Sequence, residues 1–325
     1  REIHADTGAG CSKLSPKLII GQPARRIGSS VQIGQAYLFG SPRETNAAYL
    51  CRMAYEQPPA NPFAHALLDA NSEVVVSQYC FAVYPIVTAL FGAKLVTVPA
   101  KDFGHDLPAM LRAVTPRTKI MFVANPNNPT GTLAAKDELL KLVRAVPRHV
   151  LLVMDEAYIE FLDNAPDLLP LIRSGELPNL ILMRTFSKIY GLAGLRIGYG
   201  ITTPEITNYL NRLRPPFNAN SMAQCAALAA LDDDAHVAES RSLNHVEMDK
   251  VRDGLRRLGF EALPSETNFL YFDVGRSGRA VFDALLAKGI IVRHIEGRML
   301  RVTIGLPEEN QLFLSALEDV TRASQ

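Results

Sequence analysis

The chain has 325 residues, of which 48% are hydrophobic and 21% charged, with 34 Lys plus Arg against 33 Asp plus Glu. That composition excludes a disordered polymer, and the near-neutral balance argues against a dedicated nucleic-acid binder. At about 150 residues per domain, the length suits two folded units. Cys11, Cys51, Cys80 and Cys225 are far apart and form no C-x-x-C pair, so the reading is a reducing compartment without zinc ribbon or disulfide framework.

Residues 1–65 show no steady period and read as an irregular N-terminal segment, with loops at 41–46 and 56–62. From Glu73 the texture changes. Val74-Val75-Val76 is a β-branched run, and Ala93 to Pro99 reads as a strand closed by proline. The apolar stretch from Val74 to Gly92 is broken by Ser77, Gln78, Pro85 and Thr88, so it is no membrane span. Nothing in Arg1-Glu2-Ile3-His4 resembles a secretory leader, and a cytoplasmic location is expected.

Strand-like runs then alternate with helical ones. Lys119 to Ala124, His149 to Met154 and Leu180 to Met183 are nearly continuous apolar runs, as strands covered on both faces should be. Helices are expected near 84–91, 107–114 and 136–146. The alternation predicts an α/β fold with a mainly parallel sheet flanked by helices, at 66–214. Arg214-Pro215-Pro216-Phe217 reads as a hinge. A long helix at 237–258 follows, then strands at 268–274, 290–295 and 300–304 and helices at 279–288 and 308–321: a bridging helix and a smaller α+β unit at 215–325. Asp232-Asp233-Asp234 invites a metal reading, but no further ligand spacing follows, and a turn between helices explains it better.

In open parallel sheets, ligands gather at the carboxyl ends of the strands. Three such ends carry Asn125-Pro126-Asn127-Asn128-Pro129-Thr130-Gly131, Asp155-Glu156-Ala157-Tyr158 and Arg184-Thr185-Phe186-Ser187-Lys188. Singly, these are a Pro/Gly/Asn turn, a helix cap and a surface lysine. Together they offer an amide, a carboxylate, a phenol, two hydroxyls and an amine. Pyridoxal 5'-phosphate needs a lysine for its aldehyde, an acid for its ring nitrogen, donors for its phenolic oxygen, and hydroxyls with an arginine for its phosphate. Lys188, Asp155, Asn128 with Tyr158, and Thr185, Ser187 and Arg196 fill those needs.

With Gly191-Leu192-Ala193-Gly194-Leu195-Arg196-Ile197-Gly198-Tyr199 added, the motif set resembles the fold-type I pyridoxal-phosphate aminotransferases, nearest the histidinol-phosphate aminotransferase branch. The resemblance runs from about Glu73 to the end. It implies that Lys188 is the cofactor-bound lysine and proton shuttle and that Asp155 pairs with the ring nitrogen. Asn128 and Tyr158 would bind the phenolic oxygen, and Thr185, Ser187 and Arg196 the phosphate. Lys188, Asp155 and Tyr158 would be catalytic. Phe81 falls where the family places the aromatic that stacks on the ring. In Met299 to Gly305, alternation sets Arg301 on the face opposite Leu300, Val302 and Ile304. The family uses that arginine as a bidentate clamp for the substrate carboxylate, and Asn128 is read as a second substrate-binding residue.

The resemblance implies L-histidinol phosphate and 2-oxoglutarate as substrates, imidazole acetol phosphate and L-glutamate as products, a homodimer, and neither nucleic-acid nor membrane partners. An aromatic amino-acid aminotransferase shares the motifs. A non-catalytic homologue with a binding role is the alternative of another class, motivated by the region before Glu73. That region lacks the family's Tyr-Pro loop and glycine turn, although Asn61 to Leu68 has the look of the phosphate-capping helix. Residues 295–299 also look shorter than the family's loop before the arginine strand.

Overall fold

The computed structural model describes residues 62–322 together with the short segments 31–33, 36–38 and 49–52. Of the features read from sequence, Arg1 to His4, the loop at 41–46 and the side chains of Cys11 and Cys51 lie outside the described residues, as does the 56–62 loop up to Pro62.

Within the segment read as irregular lie β1 (Val31–Ile33), β2 (Ala36–Leu38) and β3 (Tyr49–Arg52), and α1 (Pro62–Leu67) spans its end. Strands of three or four residues are too short to show a period of two. β3 pairs antiparallel with β9 (Gly198–Thr202) at the edge of the main sheet.

The main sheet also contains β4 (Glu73–Ser77), β5 (Lys94–Val98), β6 (Thr118–Ala124), β7 (Leu151–Asp155) and β8 (Leu180–Thr185). Its order is β3-β9-β8-β7-β6-β4-β5. Pairings from β5 through β4, β6 and β7 to β8 are parallel, and β9 returns antiparallel to β8. β9 was not legible as a strand, because Gly198-Tyr199-Gly200 carries the residues of a loop.

Alternate residues of the central strands enter two separate cores. Val75, Met121, Val123, Leu152, Met154 and Leu182 face one side, where α4 (Lys136–Ala145) adds Leu139, Leu142 and Val143. Val74, Val76, Ile120, Phe122, Val153 and Ile181 face the other, covered by Phe63 of α1 and by Tyr84 and Val87 of α2 (Val83–Leu90). Burial on both faces is why the strands read as unbroken apolar runs. Each fully buried Val, Leu or Phe is worth about 1.5–3 kcal/mol.

Side-chain caps set several boundaries. Asp106 caps α3 (Leu107–Arg112), Thr203 caps α6 (Pro204–Leu213) after α5 (Leu169–Arg173), and Asn220 caps α7 (Ser221–Leu231). Asp233 caps α8 (Asp234–Arg257) through its contact with the His236 N–H at 3.0 Å, which accounts for one residue of the acidic triplet. α8 leads to a third core, where Val251 and Leu255 pack on the antiparallel sheet β10 (Phe269–Asp273), β12 (Met299–Thr303), β11 (Arg293–Glu296). α9 (Gly278–Ala287) and α10 (Pro307–Arg322) complete that unit.

Among the described residues Cys80 is a free cysteine. No helix among the described residues is long and apolar enough to cross a membrane.

Candidate active site

β6, β7 and β8 are neighbours, so their carboxyl ends place the three polar strings side by side. In the register, Ala124 stands opposite Asp155, and Asp155 opposite Met183. The loop after β6 is fixed from within: Asn125 Oδ1 accepts from the Ala134 N–H at 2.8 Å, and the Gly131 N–H bonds the Asn127 carbonyl at 2.8 Å.

Asp155 ends β7 and is 8% exposed. Its Oδ1 accepts from the Ala157 N–H at 3.1 Å, and its Oδ2 accepts from the Tyr84 hydroxyl at 2.6 Å. Burial pushes its pKa up, opposed by those two donors and by the Lys188 charge. Burial also lowers the pKa of Lys188, helped by Arg301, Arg196 and Arg293 and opposed by Asp155. The pocket therefore makes the neutral amine, the form that is nucleophilic, easier to reach than in water.

Lys188 Nζ lies 5.2 Å from the centroid of the Tyr158 ring. Tyr158 is buried with its pKa pushed up to about 12 by desolvation, so its hydroxyl keeps its proton at neutral pH. It packs edge-on against Phe269 at 5.3 Å.

Thr185 ends β8, and its Oγ1 accepts from the Ser187 N–H at 3.1 Å. Arg196 has left-handed backbone (φ 51°), which turns its guanidinium back toward the loop: Nη1 donates to the Ala193 carbonyl at 2.9 Å and to Ser187 Oγ at 3.4 Å. Thr185, Ser187 and Arg196 thus form one hydroxyl-and-guanidinium group. Phe81 is half-buried and meets Tyr84 edge-on at 5.7 Å.

Arg301 reaches this group from the small antiparallel sheet. Its Nη1 donates to Asn128 Oδ1, and its guanidinium covers the Phe269 ring at 4.6 Å. Its Nε is buried without a hydrogen-bond partner among the described residues. An orphaned buried guanidinium N–H is costly unless an anion binds there.

Three contributors were not read from the sequence. Tyr84 looked like helix interior. Phe269 looked like core. Arg293 stands opposite Arg301 in the β11–β12 register, and such pairs share a sheet face. A cross-strand pairing is invisible without the register. Below the site, Arg184 Nε donates to buried Glu156 at 2.8 Å. Glu160 lies beside them with both carboxylate oxygens buried and unpartnered, its pKa pushed up to about 7 by desolvation. Gly131 (φ 82°) lies against Ser265, and a Cβ there would fall 2.7 Å from the Ser265 Cβ. The Gly131 carbonyl accepts from the Glu266 N–H at 2.9 Å, which ties the Asn128 loop to the segment before β10.

The donor set fits pyridoxal phosphate: a buried acid, an amine held toward its neutral form, a protonated phenol, and hydroxyls with a guanidinium for a phosphate. Residues 60–317 match the family model for aminotransferase class I and II. The chain belongs to that family. This aminotransferase is 50% identical over 263 residues to histidinol-phosphate aminotransferase 2 of Pseudomonas fluorescens, an alignment covering 79% of this chain and 70% of the relative. It is 48% identical over 261 residues to histidinol-phosphate aminotransferase 1 of Nitrosococcus oceani, with the same coverages, 79% and 70%. Among solved structures, the histidinol-phosphate aminotransferase of Sinorhizobium meliloti in complex with pyridoxal-5'-phosphate superposes with a TM-score of 0.77 at 31% identity, covering 81% of this chain and 74% of that one. The fold-type I architecture is therefore that of a pyridoxal-phosphate transferase.

Proposed function

We propose that this aminotransferase uses pyridoxal 5'-phosphate to transfer the amino group of L-histidinol phosphate to 2-oxoglutarate, giving imidazole acetol phosphate and L-glutamate. The observation that carries the reading is the convergence of Lys188, Asp155 and Arg301. The names of the relatives at 48–50% identity support the substrate.

When bound, the cofactor supplies an aldehyde that condenses with amines and a ring that stores the electron pair left when an α-proton departs. The rest belongs to the chain. Asp155 holds the proton at the ring nitrogen. Tyr158 donates to the phenolic oxygen. Asn128 has its Oδ1 engaged by Arg301, which leaves its Nδ2 as the donor to the same oxygen. Thr185, Ser187 and Arg196 hold the cofactor phosphate, and Phe81 covers the ring. Lys188, as the free amine, would take the α-proton and return it two atoms farther on. Arg301, with Arg293 opposite it, holds the phosphate of the donor and, in the return half-reaction, a carboxylate of the keto acid.

The reading includes a cytoplasmic homodimer. Phe217 is 98% exposed and Met222 75%, apolar area around the start of α7 that a second copy would cover. Light scattering should give twice the chain mass of 35.6 kDa, and cell fractionation should place the protein with the cytosol.

The test is a donor screen with 2-oxoglutarate. Histidinol phosphate should exceed phenylalanine, tyrosine and histidine in kcat/KM. Preference for an aromatic amino acid would replace the substrate, and no turnover with any donor would overturn the reading.

A further inference from the structure

Tyr84 is a buried helix residue with no evident place in the reaction. Its ring lies face to face on Phe122, centroids 4.3 Å apart and planes 5° apart, and its hydroxyl crosses to Asp155 Oδ2 at 2.6 Å. The two residues are 71 positions apart in the chain. The stack sets the ring direction, and Phe122 belongs to β6, the neighbour of the strand that ends in Asp155. Oδ1 accepts from the Ala157 N–H at 3.1 Å.

We propose that Tyr84 is a positioning residue for the transamination, its hydroxyl fixing the Asp155 carboxylate and keeping it the poorer base of the acid–pyridine pair. The inference rests on the assignment of Asp155 to the ring nitrogen. A carboxylate accepting two hydrogen bonds is a weaker base than one accepting one. Opposite a pyridine nitrogen, the weaker base leaves the shared proton on the ring, where it withdraws electrons. Removing the Tyr84 donor makes the carboxylate more basic and moves the proton from ring nitrogen to the Asp155 carboxylate, with no change in atoms or net charge.

The experiment loads the enzyme with ring-15N pyridoxal phosphate and compares the ring-nitrogen signal in wild type, Tyr84→Phe, Tyr84→His and Asp155→Asn. Phenylalanine keeps the stack on Phe122 and removes only the hydroxyl; circular dichroism and melting verify folding. In Tyr84→Phe the signal should move toward unprotonated pyridine, and kcat should fall about tenfold with KM within about twofold, the loss of one hydrogen bond to a charged group. Tyr84→His, which restores a donor, should return the signal toward wild type even where it packs less well. A Tyr84→Phe signal at the wild-type position, with Asp155→Asn shifted, would overturn the role of Tyr84 and leave Asp155 standing. An unshifted Asp155→Asn signal would remove the Asp155 assignment and this inference with it.

Discussion

Arg293 and Arg301 stand directly opposite each other on antiparallel β11 and β12, and both guanidiniums lower the pKa of Lys188. Two like charges side by side repel, an arrangement that suits a multivalent anion. Arg301→Lys loses the planar fork and should reduce kcat/KM for histidinol phosphate about 10- to 100-fold. Arg293→Ala should raise KM for the phosphorylated donor about tenfold while leaving an unphosphorylated aromatic donor unchanged. Equal losses with both donors in steady-state assays would remove Arg293 from phosphate recognition.

Lys188→Ala should abolish the visible absorbance of lysine-bound cofactor and lower turnover by about 10⁴-fold, the span of a general acid–base group. Without cofactor, the same change should stabilise the protein. The folded-state pKa of Lys188 lies below its ordinary 10.5, so a charged amine there disfavours folding at neutral pH. The gain in melting temperature should shrink as pH rises through 10.5, above which both states hold the neutral amine. Apoenzyme melting curves from pH 7 to 10.5 check this.

Acid stability centres on Glu73. Its side chain is 2% exposed and accepts from Thr115 Oγ1 at 2.6 Å, from Arg117 Nη2 at 2.6 Å and from Lys94 at 3.3 Å. Those partners, Thr115 first, hold its pKa at about 2 against an ordinary 4.5. A depressed folded-state pKa contributes stability that is present above pH 4.5 and lost as pH falls through 2. Glu73→Gln should lower the melting temperature at pH 7 and flatten its dependence between those limits.

Glu156 and Arg184 form a buried pair beneath the site. Arg184→Met leaves Glu156 and Glu160 without the cation nearest them and should cost about 3–5 kcal/mol, read from urea unfolding. Adding Glu156→Gln should recover part of that loss, because it removes one of the stranded charges. A double variant no more stable than Arg184→Met alone would count against a direct pairing energy.

The central strands were legible because burial on both faces leaves nothing polar to interrupt them, as in Ile120 to Val123 and Leu151 to Met154. The strand-end strings were legible because parallel strands in sequence order deliver their following loops to one edge. β9 was hidden by its glycines, and β3 by its length. Tyr84 and Arg293 were hidden for a different reason: each acts through a partner, Asp155 or Arg301, that only the folded register supplies.

Gly131 touching Ser265 has a mechanical outcome. Asn128 rides on one lobe and Arg301 on the other, and at this point the Ser265 side chain rests directly on bare Gly131 backbone. A side chain added at position 131 would wedge the lobes apart and draw the amide away from the guanidinium.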